Sequence, residues 1–162
     1  MKQQLLRLAA AILLGLPPAA AQAPRLATRT VLTLDAAKFL AKTAEDFGRA
    51  NNWKLAIAIL DDGGNLLYFQ RGDGVQIAGI EIAMRKAESA LKYQRPGKAL
   101  AERAVKEPHV IALPGAFPFE GGLPIVHQGA VIGSIGVTGA TAQQDAQAAQ
   151  AALDALDKAL RQ

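Results

Sequence analysis

Cysteine is absent from all 162 residues. Disulfides, thiolate metal sites, a thiol nucleophile and a cysteine-linked lipid anchor are therefore excluded, and the core must hold the fold together unaided. An oxidising compartment is still open to such a chain. Histidine is nearly as scarce, with His109 and His127 the only two. They lack HExxH spacing, so a tetrahedral zinc centre would need both plus carboxylates. The serines, Ser89 and Ser134, do not sit in a G-x-S-x-G elbow. The glycine-rich segments at 121–122 and 133–139 match neither a phosphate-binding loop nor a dinucleotide fingerprint. Asp61-Asp62-Gly63-Gly64-Asn65 lacks the twelfth-position glutamate of a calcium loop and reads as a turn. No apolar run approaches the roughly 20 residues of a membrane-spanning helix.

What is present begins with an export signal. Lys2 and Arg7 give a basic start, Leu8 to Leu16 an apolar run, and Pro17-Pro18 a break before Ala19-Ala20-Ala21. Cleavage after Ala21 is the expectation. Residues 1–21 are then a signal peptide, and the exported chain is periplasmic or secreted. Its 141 residues suit one domain. The formal charge of +4 falls to +2 with the loss of Lys2 and Arg7. That balance is too mild, and its cations too dispersed, for a nucleic-acid partner. With the signal removed, no membrane association is expected either.

Residues 22–31 read as a short flexible lead. Thr33 is a good N-cap for a helix over 34–50, with Ala37, Leu40, Ala44 and Phe47 on its apolar face. Residues 53–60 and 66–71 form a hairpin around the Asp61–Asn65 turn. A second helix spans 76–93, with Ile77, Ile80, Met84, Ala87 and Leu91 as its apolar face and Glu81–Arg85 and Glu88–Lys92 as i,i+4 pairs. A short helix follows near 98–105, then a loop over 106–122. Residues 123–127 and 130–137 make a second hairpin, turning at Gln128-Gly129. Thr141 and Gln144 form a capping box for the last helix, whose stripe is Ala146, Ala149, Leu153, Leu156 and Leu160. Hairpins need no crossover, so the fold class is α+β, a mainly antiparallel sheet flanked by helices.

His109 lies in the proline-rich loop before Val110-Ile111-Ala112-Leu113. A neutral imidazole there can ligate haem iron, although a solvent-exposed loop histidine is the ordinary reading. His127, at a strand end beside a turn, is the second possible metal ligand. Lys86 stands about 200° round the helix from Met84 and has no acid at i−4 or i+4. It is expected either to be solvated or to meet an anionic group such as a propionate or carboxylate.

The run Ile82-Ala83-Met84-Arg85-Lys86-Ala87-Glu88-Ser89-Ala90, with Tyr93-Gln94-Arg95-Pro96, resembles the "IA-x-x-KA-x-TA…FGRP" stretch of the GlcG/HbpS-like haem-binding family. Asp62-Gly63-Gly64-Asn65-Leu66 resembles the family's "DxGGxL". Gly121-Gly122-Leu123-Pro124-Ile125 resembles "GGxPI", and Gly129 to Gly139 resembles "G-x-x-x-GAIGVSG". Gln144-Asp145 stands where the family carries "QD". Ser89, Gln94, Ser134 and Thr138 depart from the pattern conservatively. The likeness spans about residues 32–160, so 32–162 is taken as one domain of this kind. It implies a profilin-like plan, frequent homo-oligomers, and haem or iron handling or redox sensing. On that basis Lys86, the turn Gly121-Gly122-Leu123-Pro124 and His109 are expected to border one haem pocket, with His109 as axial donor. An enzyme or binding protein for a small organic acid or aromatic compound is the first alternative. A partner-binding module for an extracellular sensor is the second. No catalytic residue is identified.

Overall fold

A computed structural model describes residues 26–162; the expected signal segment lies outside them. The elements are α1 (Leu34–Ala50), β1 (Ala56–Asp61), β2 (Leu66–Arg71), α2 (Gly79–Tyr93), α3 (Gly97–Lys106), a 3-10 helix (Pro108–Ala112), β3 (Gly122–His127), β4 (Ala130–Thr138) and α4 (Ala142–Leu160). The two hairpins join through β1 and β4 into one antiparallel sheet of order β2-β1-β4-β3. Gln128 and Gly129 both take positive φ, the geometry a two-residue hairpin turn requires. Thr33 accepts a hydrogen bond from the Ala36 N–H, and Thr141 and Gln144 complete the capping box of α4.

The faces of the sheet differ in residue size. On one side Ile57, Ile59, Leu123, Ile125, Ile135 and Val137 pack against Leu40, Ala41 and Ala44 of α1 and Ala148, Ala149 and Ala152 of α4. The other side presents Ala56, Ala58 and Leu60 to Ala83 and Ala87 of α2. Gly122 and Gly136 lie under α2 so closely that an added Cβ at either would collide with the helix backbone, at Lys86 and at Ala83 respectively. The helix must therefore turn its smallest side chains inward.

This close approach corrects two sequence expectations. The buried face of α2 is Gly79, Ala83, Lys86, Ala87, Ser89 and Ala90. The helix begins at Gly79 and not at 76, so Ile77, 79% exposed, lies ahead of it; Ile80 is 41% exposed, and the positions of α2 that meet Gly122 and Gly136 are Ala83, Lys86 and Ala87. In α4 the buried stripe is Asp145, Ala148, Ala149, Ala152 and Leu156, whereas Leu160 is exposed. The stripe is rotated by one residue because Asp145, not Ala146, is drawn into the interior.

A third, smaller cluster joins Leu100 of α3 to Val110 of the 3-10 helix and to Ala116. It rests on Tyr93 at the end of α2, whose hydroxyl donates to the Pro114 carbonyl at 2.9 Å. Much of the expected 106–122 loop is thus packed structure.

Candidate functional site

Lys86 is only 3% exposed. From α2 its chain reaches the start of α4, where Nζ donates to Asp145 Oδ2 at 2.7 Å and to the Val137 carbonyl at 2.9 Å. The other carboxylate oxygen of Asp145 accepts the Ala140 N–H at 3.0 Å. Burial raises the Asp145 pKa; Lys86 and the Ala140 N–H pull against that rise without cancelling it.

Gly121 makes room for this pair. Its φ is +106°, and a Cβ would stand 2.8 Å from Lys86 Nζ and 2.9 Å from Asp145 Cβ. Lys86, Gly121 and Gly122 are thus brought together, as the sequence suggested. They meet as packed interior and not as a concave surface. The expectation that Lys86 is solvated or open to an anionic ligand is corrected: its charge is already met by Asp145. The signal for that partner lay in α4, where an acid falls in register with Ala148, Ala149 and Ala152 on a buried stripe. Buried acids are almost always paired with a cation.

The remaining candidates lie apart from the pair. Pro124 and His127 line a cleft of about 210 Å³ between β3 and α4, closed by Gln150, Leu153, Asp154, Leu156, Asp157 and Leu160. His109 lines neither that cleft nor a larger one of about 440 Å³ between the Asp62–Gly64 turn and the end of α2. It stands on the 3-10 helix with its side chain 71% exposed, and its Nε2 lies 3.5 Å from Glu107 Oε2. Glu107 also accepts from Arg103 Nε and Nη2 at 3.1 and 2.8 Å, and that guanidinium holds its carboxyl below the usual range. Exposed Val105 and Ile111 stand on the same short helices, and Lys106 ends α3 with no ion-pair partner among the described residues. The single pocket expected to hold Lys86, Gly121, Gly122, Pro124 and His109 is therefore divided into three places. The described residues contain no cluster of three or more histidine, aspartate or glutamate side chains able to hold a metal ion.

The loop ahead of β3 carries an aromatic pair that no motif in the sequence marks. Phe117 and Phe119 pack with ring centroids 4.7 Å apart, and the Arg85 guanidinium lies 4.6 Å from the Phe117 centroid. Ser89 Oγ fixes this loop by accepting the Phe117 N–H at 3.0 Å.

The family model described as "Haem degrading protein HbpS-like" matches residues 32–154. Protein GlcG of Escherichia coli K12 is 34% identical over 112 residues, covering 68% of this chain and 84% of GlcG. The crystal structure of a double mutant of Streptomyces reticuli HbpS superposes with a TM-score of 0.77 at 34% identity, covering 88% of this chain and 98% of HbpS. A haem complex of PduOC superposes with a TM-score of 0.71, covering 78% of this chain and 95% of PduOC. At 21% identity that last likeness concerns the fold alone.

Proposed function

The chain belongs to the HbpS-like family, and from that premise we propose that it is an exported haem-binding protein acting in haem or iron handling or in redox sensing. The description of the family as haem-degrading supports the ligand class. The basic, apolar and small-residue succession of the first 21 residues supports export to the periplasm or beyond.

The observation that carries the reading to particular residues is the setting of His109. Haem needs an axial donor, an apolar surface for the macrocycle and cations for its two propionates. Around His109 stand exposed Val105 and Ile111 and the unpaired cation Lys106. Glu107, held in place by Arg103, is near enough to orient the imidazole, as carboxylates do for ligating histidines. His127 is the poorer candidate. Asp154 and Asp157 line the cleft beside it and would repel the propionates.

Titration of the purified protein with hemin tests this. A saturable Soret shift is expected, lost or strongly weakened in His109→Ala and unchanged in His127→Ala. No saturable shift, or an identical one in His109→Ala, would overturn the assignment. Mass spectrometry of protein recovered from the periplasm tests the export reading, with Gln22 expected as the first residue.

A further inference from the structure

Aspartate is followed by glycine twice in the chain, at Asp62-Gly63 and at Asp73-Gly74. Glycine has no side chain to shield its own nitrogen, so that nitrogen can approach the carboxyl group of the residue before it. The structure treats the two dipeptides differently. In the turn between β1 and β2 the Gly63 N–H donates to Asp61 Oδ1 at 2.9 Å. The same oxygen accepts the Asn65 N–H at 2.8 Å, so this turn is tied from within. The Asp62 side chain is 17% exposed and is paired with Arg29. Both reacting groups of the first dipeptide are therefore engaged.

Beyond the end of β2 the same groups are open. Gly72 donates its N–H to the Leu55 carbonyl at 2.9 Å, and its own carbonyl accepts the Val75 N–H at 3.2 Å, which closes a β-turn. Asp73 and Gly74 are the central residues of that turn; both are exposed, and Gly74 has φ +79°. The peptide between the central residues takes no part in the closing hydrogen bond. Among the described residues neither the Gly74 N–H nor the Asp73 carboxylate has a hydrogen-bond or ion-pair partner. The residue after the turn is buried. Val75 is 9% exposed and packs with Ala56, Ala58, Ala83 and Ala87. Its Cγ1 lies 2.8 Å from where a Cβ would stand on Gly79, the first residue of α2.

We propose that Asp73 is a modification site, at which the link to Gly74 converts to the isoaspartyl form while Asp62-Gly63 keeps its ordinary linkage. The Gly74 nitrogen forms a bond to Asp73 Cγ and gives up its proton. The bond from Cγ to the side-chain hydroxyl breaks, and hydroxyl and proton leave as water. The product is a cyclic succinimide. Water then adds to the ring. Where it attacks the α-carbonyl, the bond from that carbon to the Gly74 nitrogen breaks, the chain runs on through Cβ and Cγ, and the α-carboxylate is left free. Nothing is oxidised or reduced, and the water lost is regained. The path from Gly72 to Val75 is then longer by one carbon. Val75 is displaced from its seat against Gly79, and the start of α2 is loosened.

The purified protein is aged for weeks in neutral buffer, digested with trypsin, and labelled with an isoaspartate-specific carboxyl methyltransferase and a radioactive methyl donor. Cleavage after Lys54, Arg71 and Arg85 places the two dipeptides on separate fragments, residues 55–71 and 72–85. Label is expected in 72–85, in a species of unchanged mass and altered retention. It should accumulate at least about tenfold faster than in 55–71, because Gly63 must first give up a hydrogen bond to a charged acceptor. In protein aged in urea, where neither turn persists, the two fragments should gain label at similar rates. Asp61→Ala frees the Gly63 N–H and should bring label into 55–71; if that variant does not fold, the comparison of folded with urea-aged parent decides alone. The aged protein should also show a population that unfolds at lower urea, in proportion to its label. Equal labelling of both fragments in the folded protein, no label in 72–85, or label there with an unchanged unfolding midpoint would overturn the proposal.

Discussion

Replacing Lys86 with methionine separates a structural lysine from a ligand-binding one. Methionine keeps most of the aliphatic stem and removes only the ammonium group. Asp145 is then left buried with one remaining donor, the Ala140 N–H, and its Oδ2 loses the partner at 2.7 Å. Removing one member of a buried ion pair costs about 3–5 kcal/mol, because the other charge stays desolvated. A domain is stable by only about 5–15 kcal/mol, so the loss is a large share of the total. It corresponds to a fall in Tm of roughly 10–20 °C for a chain of this size. Urea unfolding followed by circular dichroism measures it directly. The pH dependence has a definite sign. The uncompensated carboxyl has its folded pKa pushed still further above its unfolded value, so the folded state takes up a proton first and the variant's deficit shrinks as pH falls through that raised value. Lys86→Met/Asp145→Leu removes both charges and should recover most of the loss. If Lys86→Met costs less than about 1 kcal/mol, below the range for a broken buried pair, and abolishes hemin binding, the lysine serves a ligand and the buried-pair argument is wrong.

Two further outcomes follow from the packing and the turns. Gly136→Ala places a methyl group against the backbone of Ala83 and Ala87, which cannot rotate away; a loss of about 3 kcal/mol in the same urea assay is expected, at the upper end of ordinary overpacking. Asp61 has its pKa lowered chiefly by the Asn65 N–H it accepts. Its stabilising contribution is therefore present above the ordinary carboxylate pKa and lost as pH falls through the lowered folded value, so Asp61→Asn should flatten the acid limb of the pH–stability curve.

Element identity was legible because local chemistry and tertiary packing agree in most of this chain. The reading of α1 as 34–50 and β2 as 66–71 matches the structure, with Thr33, Asn51 and the Asp61–Asn65 turn marking the boundaries. The 3-10 helix at Pro108–Ala112 has no signature in the sequence, since five residues opening on a proline are too few for periodicity to register. The orientation of α2 was the larger miss. Apolar periodicity assumes that the largest side chains face the core, and here they do not. The glycines responsible, Gly122 and Gly136, lie far from α2 in sequence and act only once the sheet has formed.

The fate of Lys86 follows from that same geometry. A helix resting on glycines and alanines has little space beneath it for bulky groups, but a long thin side chain can pass along the gap. Lys86 does so beside Gly121 and reaches the first turn of α4, where Asp145 already receives the Ala140 N–H. The motif residues at 86, 121–122 and 144–145 therefore describe a tie between α2, the sheet and α4, not the wall of a pocket. A resemblance built on those residues is strong for the fold because they determine how its layers meet. It says less about the ligand for the same reason: the exposed residues on which the proposed haem reading rests, His109, Val105 and Ile111, lie outside the matching motifs, on helices whose surface packing does not constrain.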